Sequence, residues 1–160
     1  MLLFKNPRKP NRLKEYNYSR VGYYYVTICV KNREKLLGNI VGDKVYLNNL
    51  GKIIKNVWVN LPQYYLNIQL DYWVIMPNHL HGIIIINNTS AVGTGFKPVP
   101  TQHCSLSEVI RGFKTFSSKQ INQLGNDLIF HWQRSFYDHI IRNDYDLNRI
   151  REYIKNNPLN

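Results

Sequence analysis

Only two cysteines stand in this chain of 160 residues, Cys29 and Cys104, far apart and in no metal-ligand spacing. Nothing in that pattern builds a disulfide framework, and it suits a reducing, cytoplasmic compartment. Acidic residues are scarce as well, 10 Asp and Glu against 21 Lys and Arg. Long apolar runs are missing: none could cross a bilayer. The N-terminal stretch MLLFKNPRKPNRLK lacks the apolar centre of a secretory signal. A membrane role is thereby reduced to surface adhesion.

What is present points to a polyanionic partner. The formal charge is +11, more than solubility requires. There are 12 tyrosines. Cations interleaved with aromatics suit single-stranded nucleic acid, where phosphates pair with charge and bases stack on rings. A plainer reading makes many of these tyrosines ordinary strand residues, as in GYYYVTICV. The length and the 44% hydrophobic content suit one domain spanning 1–160 with a real core.

The order of elements follows from periodicity. Residues 1–20 are basic and Pro/Asn-rich, an N-terminal arm. GYYYVTICV (22–30) is a strand. KLLGNIVGDKVYLNN forms a small hairpin turning at Gly42-Asp43. Leu50, Ile53, Ile54, Val57 and Leu61 recur at helical spacing over 50–62, with Pro62 closing the helix. NIQLDYWVIM (67–76) and HLHGIIII (79–86) are strands joined at Pro77-Asn78. Residues 88–104 are Gly/Pro/Ser/Thr-rich and read as a flexible loop.

A helix follows over 105–124, capped by Ser105 or Ser107. Its inner side carries Leu106, Ile110, Phe113 and Ser117; Arg111, Lys114 and Ser118 lie on another side. One or two strands fit 129–142. Asn143 caps a last helix that Pro158 ends near Asn157. Without the hairpin the order is β, α, β, β, α, β and a terminal helix. That is an α+β, ferredoxin-like antiparallel sheet of the split βαβ type, with two crossover helices and a C-terminal helix.

VIMPNHLHGIIII (74–86) carries two histidines, His79 and His81. Strand alternation places both on one face, with Ile83 and Ile85 beyond them and Leu80 opposite. Two neutral imidazoles side by side are a partial metal site. Alternatively they hydrogen-bond to neighbours at a strand entrance. On the last helix Tyr153 and Asn157 are four residues apart and share one side. The stripe of Leu147, Ile150 and Ile154 would dock that helix and aim both polar groups at the sheet.

MPNHLHGIIII resembles the His-hydrophobic-His (HUH) strand of single-tyrosine transposases that act on single-stranded DNA. WQRSFYDHIIRNDYDLNRIREYIKNNP resembles the C-terminal segment of one branch, the REP-associated tyrosine transposases. PNRLKEYNYSRVGYYYVTICVKNREKLLG and SLSEVIRGFKTFSSKQIN are similar to that branch too. The resemblance implies that His79 and His81 bind metal, that Tyr153 is the nucleophile, and that Asn157 completes the metal site. It implies single-stranded DNA with hairpin-forming repeats as partner, held by a monomer or a homodimer. The chain ends two residues after Pro158, where relatives often carry a further basic tail. On that pattern hairpin-end binding is weaker. The stretch SAVGTGFKPVPTQHC looks like an insertion.

The implied chemistry is consistent with these residue types. Attack by an aryl oxygen conserves the phosphodiester energy in a phosphotyrosine, so the strand can be rejoined without ATP. A tyrosine phenol, with a reference pKa of about 10, must lose its proton during attack. Two imidazoles and a neutral amide leave a cation's charge uncancelled and positions open for phosphate oxygens, which suits Mg²⁺ or Mn²⁺. Arg111 and Lys114 are candidate DNA contacts.

Two other classes fit parts of the sequence. A non-catalytic nucleic-acid-binding module needs only the charge and the tyrosines. A metal-dependent hydrolase using water would need a third ligand from His103, His131 or His139. For His139 a strand residue bonded to Asp138 or the backbone is the favoured reading.

Overall fold

A computed structural model describes residues 15–88, 104–125 and 129–159. The N-terminal arm, up to residue 14, and most of the 88–104 loop lie outside the described residues, as does His103.

Four strands build the main sheet: β1 (Gly22–Cys29), β4 (Ile68–Met76), β5 (His79–Ile86) and β6 (Tyr137–Ile141). Their order is β4-β5-β1-β6, every neighbouring pair antiparallel. This is the split βαβ sheet expected from the sequence. Strands β2 (Gly38–Val41) and β3 (Lys44–Leu47) form the separate hairpin, turning at Gly42 with φ +63°. The helices are α1 (Asn49–Val59), a short α2 (Leu61–Tyr64), α3 (Leu106–Asn122) and α4 (Asp144–Asn156). None of the described helices is long and apolar enough to cross a membrane.

The run of isoleucines after His81 is explained by burial on both faces. From β1, Tyr24, Val26 and Ile28 join Leu80, Ile84 and Ile86 of β5 in a core completed by Ile54 and Trp58 of α1 and Ile110 and Phe113 of α3. The other face packs Tyr25, Ile83 and Ile141 against Leu147, Ile150 and Ile154 of α4. A strand covered on both sides reads as a continuous apolar run. Gly82 belongs to the first face. A Cβ there would stand 2.5 Å from the Trp58 ring, so the indole takes the place of a side chain.

Helix ends follow local chemistry. Ser105, not Ser107, caps α3 in a reciprocal capping box with Glu108. Asn143 caps α4 by accepting from the Asp146 amide at 2.8 Å. Leu106, Ile110, Phe113 and Ser117 all face inward. One expectation needs correction. Asn60, not Pro62, ends α1; Pro62 lies in the first turn of α2, where a missing N–H costs nothing. Residues 129–142 contain one strand, β6, plus an isolated bridge between Trp132 and Val30.

Helix α4 is also held by an ion pair. Arg151 donates from Nε and a terminal nitrogen to Asp71 Oδ2, at 3.0 and 2.6 Å. Asp71 sits where β4 shifts register against β5, between Leu70 and Trp73. The bulge and the guanidinium fork together tie the helix to the sheet one turn before its end.

Candidate active site

Register places the two histidines. In the β1–β5 ladder Thr27 pairs with His81 and Cys29 with His79. Both imidazoles leave the α4 face of the sheet, and their Nε2 atoms lie 2.9 Å apart. His79 turns its Nδ1 to Asn78 Oδ1. That amide is oriented by its own nitrogen, which donates to the Arg33 carbonyl at 3.2 Å. With an acceptor at Nδ1, His79 carries its proton there and presents a lone pair at Nε2. His81 Nδ1 meets two hydroxyls, Tyr25 at 2.7 Å and Thr27 at 2.9 Å. Hydroxyls donate or accept, so they serve either tautomer of His81.

The tautomers define two states of the pair. With its proton on Nε2, His81 donates to His79. With the proton on Nδ1, both lone pairs converge on one point, which a cation would satisfy. Two nitrogens at right angles around a divalent ion with bonds of about 2.1 Å lie about 3.0 Å apart. The observed spacing matches that geometry. Burial, and the Arg33 charge, lower the His79 pKa. Burial, with His79 beside it, lowers His81 to about 3. Both rings are therefore neutral at physiological pH, the form that ligates metal.

Helix α4 supplies the opposite wall. Tyr153 and Asn157 line the same cleft as Thr27, Cys29, Arg33, Met76, His79 and His81, a space of about 390 Å³. The Tyr153 ring meets His81 edge-on, 5.5 Å between centroids, while 47% of the residue is exposed. Asn157, at the C-terminal end of α4, is buried. Among the described residues the Asn157 side-chain amide and the Tyr153 hydroxyl have no hydrogen-bond partner, while the Asn157 backbone N–H donates to the Ile154 carbonyl. No third His, Cys, Asp or Glu joins the pair among the described residues. The candidate donors are thus two imidazoles and an amide oxygen, a set that fits a hard or borderline divalent ion.

The cleft brings together His79, His81, Tyr153 and Asn157. Arg111 and Lys114 lie elsewhere. Arg111 is exposed on α3. Lys114 Nζ donates to the carbonyls of Gln133, Arg134 and Ser135 at 2.8, 3.3 and 3.1 Å, so its charge holds a loop in place. His139 bonds Asp146 Oδ2 at 2.7 Å, where Asp138 or the backbone was the expected partner. Tyr137 is on β6, and Tyr145 is 82% exposed at the start of α4. Sequence reasoning missed Tyr25, Thr27, Asn78 and Arg33. The alternation of Tyr25, Thr27 and Cys29 in GYYYVTICV was a signal for a shared face. The pairing of that face with His81 depends on register.

The sequence matches none of the protein-family models. Two solved structures are similar in fold. A REP-associated tyrosine transposase bound to a REP hairpin gives a TM-score of 0.63 at 20% identity, over 92% of this chain and 72% of that one. A candidate transposase of Deinococcus radiodurans R1 gives 0.52 at 15% identity, over 91% and 95%. At these identities the likeness establishes a shared fold. Sequence similarity is closer to an uncharacterized protein of Haemophilus influenzae: 38% identity over 161 aligned residues, covering 95% of this chain and 88% of that protein. At that identity and coverage, this chain belongs to the same family as the Haemophilus influenzae protein.

Proposed function

We propose that the protein is a transposase-type enzyme that nicks and rejoins single-stranded DNA through a 5′-phosphotyrosine on Tyr153, with Mg²⁺ or Mn²⁺ held by His79, His81 and Asn157. The observation that carries this reading is the convergence of an imidazole pair, a free phenol and a buried amide in one cleft. The fold shared with a transposase solved on a REP hairpin adds support, and hairpin-forming repeats are the substrate we favour.

The tyrosines are separated by environment. Tyr25 is buried, its hydroxyl engaged by His81, and burial pushes its pKa up to about 12. It orients the imidazole and is a poor nucleophile. Tyr153 is half exposed and unbonded beside the same imidazole. In the reaction Tyr153 Oη gives up its proton and bonds to phosphorus, while the bond from phosphorus to O3′ breaks. The departing O3′ takes a proton and becomes a free hydroxyl; its return reverses the step. A bound divalent ion would polarise the phosphate and offset its charge. Asn78, Tyr25 and Thr27 fix the two imidazoles.

The test is incubation of labelled single-stranded and duplex oligonucleotides, with and without hairpin repeats, plus Mn²⁺, followed by a denaturing gel. A protein–DNA band on single strands is expected, lost in Tyr153→Phe and kept in Tyr137→Phe and Tyr145→Phe. Salt-sensitive binding with no covalent band from the wild type would make the protein a binding module instead.

A further inference from the structure

A second groove adjoins the cleft. It is lined by Lys31, Asn32 and residues 131–135, a segment containing His131, Gln133 and Arg134. The 3-10 turn Lys31–Arg33 separates the two depressions. Arg33 lines the histidine cleft, while Lys31 and Asn32 line the groove. Neither wall contains an Asp or Glu.

The groove is fixed on both sides. The Lys31 amide donates to the His131 carbonyl at 2.9 Å, and the Gln133 amide to the Cys29 carbonyl at 2.8 Å. Lys114 gathers the carbonyls of 133–135 from below. The turn is held in an unusual conformation. Asn32 and Arg33 both have positive φ, 55° and 56°, a region that costs a residue with a Cβ about 1 kcal/mol or more. The Arg33 amide donates to the Val30 carbonyl, and its own carbonyl accepts from Asn78. Among the described residues the Arg33 guanidinium has no hydrogen bond or ion pair. One side chain, Asn78, thus positions both His79 and the backbone beneath that free charge.

We infer that this groove is the track for the DNA strand leaving the cleft, with Arg33 at the junction and Lys31 and Arg134 binding successive phosphates. The inference rests on the proposed cleavage reading for what occupies the cleft. The cations of the groove favour phosphate. Of the two rings in its wall, Trp132 is buried and donates from Nε1 to Ser117 Oγ at 2.9 Å, so its face is closed to stacking, and the exposed His131 is the ring a base could reach. Guanidinium and ammonium groups in a wall that holds no carboxylate suit a sugar-phosphate backbone of any sequence.

Metal-free binding of oligothymidylate tests the track separately from cleavage. Fluorescence anisotropy over a salt series gives affinity and salt slope. Each phosphate contact on a single strand contributes about 0.7 to the slope, so Arg33→Ala/Arg134→Ala should lower it by about 1.4 and weaken binding about tenfold or more at low salt. Lys52→Ala/Lys55→Ala, exposed on α1, should leave the slope unchanged. An unchanged slope in the first variant, an equal drop in both, or no binding by the wild type would overturn the inference. A wild type that binds with the expected contrast and forms no phosphotyrosine refutes the cleavage reading and leaves the groove a phosphate track.

Discussion

Thr27 and His81 face each other across the β1–β5 ladder, with the hydroxyl 2.9 Å from Nδ1. Tyr25 brings a second hydroxyl to the same nitrogen at 2.7 Å, and Thr27 donates to Tyr25 at 3.2 Å. Partners of this kind hold the ring of a ligating histidine in orientation, and losing one typically costs 10–100-fold in metal affinity. Thr27→Val and Tyr25→Phe should each weaken Mn²⁺ binding about tenfold in calorimetry, the double variant more. Affinity unchanged in the double variant would show that the hydroxyls do not orient the ring for metal.

His79→Ala and His81→Ala should each abolish the covalent adduct while metal-free DNA binding survives. Each removes one of two converging nitrogens. His81 is buried and bonds the Tyr25 and Thr27 hydroxyls, so His81→Ala should lower the melting temperature more than His79→Ala. Adduct formation by either variant would remove that imidazole from the proposed metal site.

The sheet was legible because its pattern is redundant. Tyr24, Val26 and Ile28 alternate with Tyr25, Thr27 and Cys29, and only one register buries the first set. The shared face of His79 and His81 followed from the same alternation, and the approach of Tyr153 and Asn157 from the apolar stripe of α4. Contacts set by non-local geometry were not legible. Lys114 looked like a free surface cation because nothing near it in sequence shows that the carbonyls of residues 133–135 end up beneath it. Pro62 looked like a helix stop because α2, which it opens, is too short to show periodicity. Asp146 was recognisable as a first-turn acid, but its bond to His139 requires α4 to pack over β6.

Lys114 and Arg111 should therefore behave differently. Replacing Lys114 with Met keeps the methylenes and leaves three carbonyls without their cation. Hydrogen bonds to a charged group contribute about 1.5–3 kcal/mol net, and water can take over some of these carbonyls. Lys114→Met should lower stability by about 1–2 kcal/mol in urea melts, and Arg111→Ala by less than about 0.5 kcal/mol. Lys114→Met should also weaken oligothymidylate binding indirectly, by loosening the 131–135 wall. Equal stability of the two variants would mean that the carbonyl cradle contributes nothing.

The last prediction concerns acid. Asp146 Oδ1 accepts from Arg149 at 2.8 Å and Oδ2 meets His139 Nε2 at 2.7 Å. Those hydrogen bonds, Arg149 first and His139 second, lower its pKa below the ordinary aspartate value. A depressed folded-state pKa means that the unfolded chain takes up the proton first. The stabilisation is therefore fully present above the unfolded value of about 4 and disappears as pH falls through the folded one. Asp146→Asn keeps the shape and removes the charge. It should lower stability at pH 7, and the gap to wild type should close between pH 5 and pH 2. Arg149 is largely exposed and salt screens its share, so the pH 7 gap should also narrow in high salt. Urea melts across that pH range measure both trends. A gap that stays constant down to pH 2 would show that the Asp146 charge contributes no pH-linked stability.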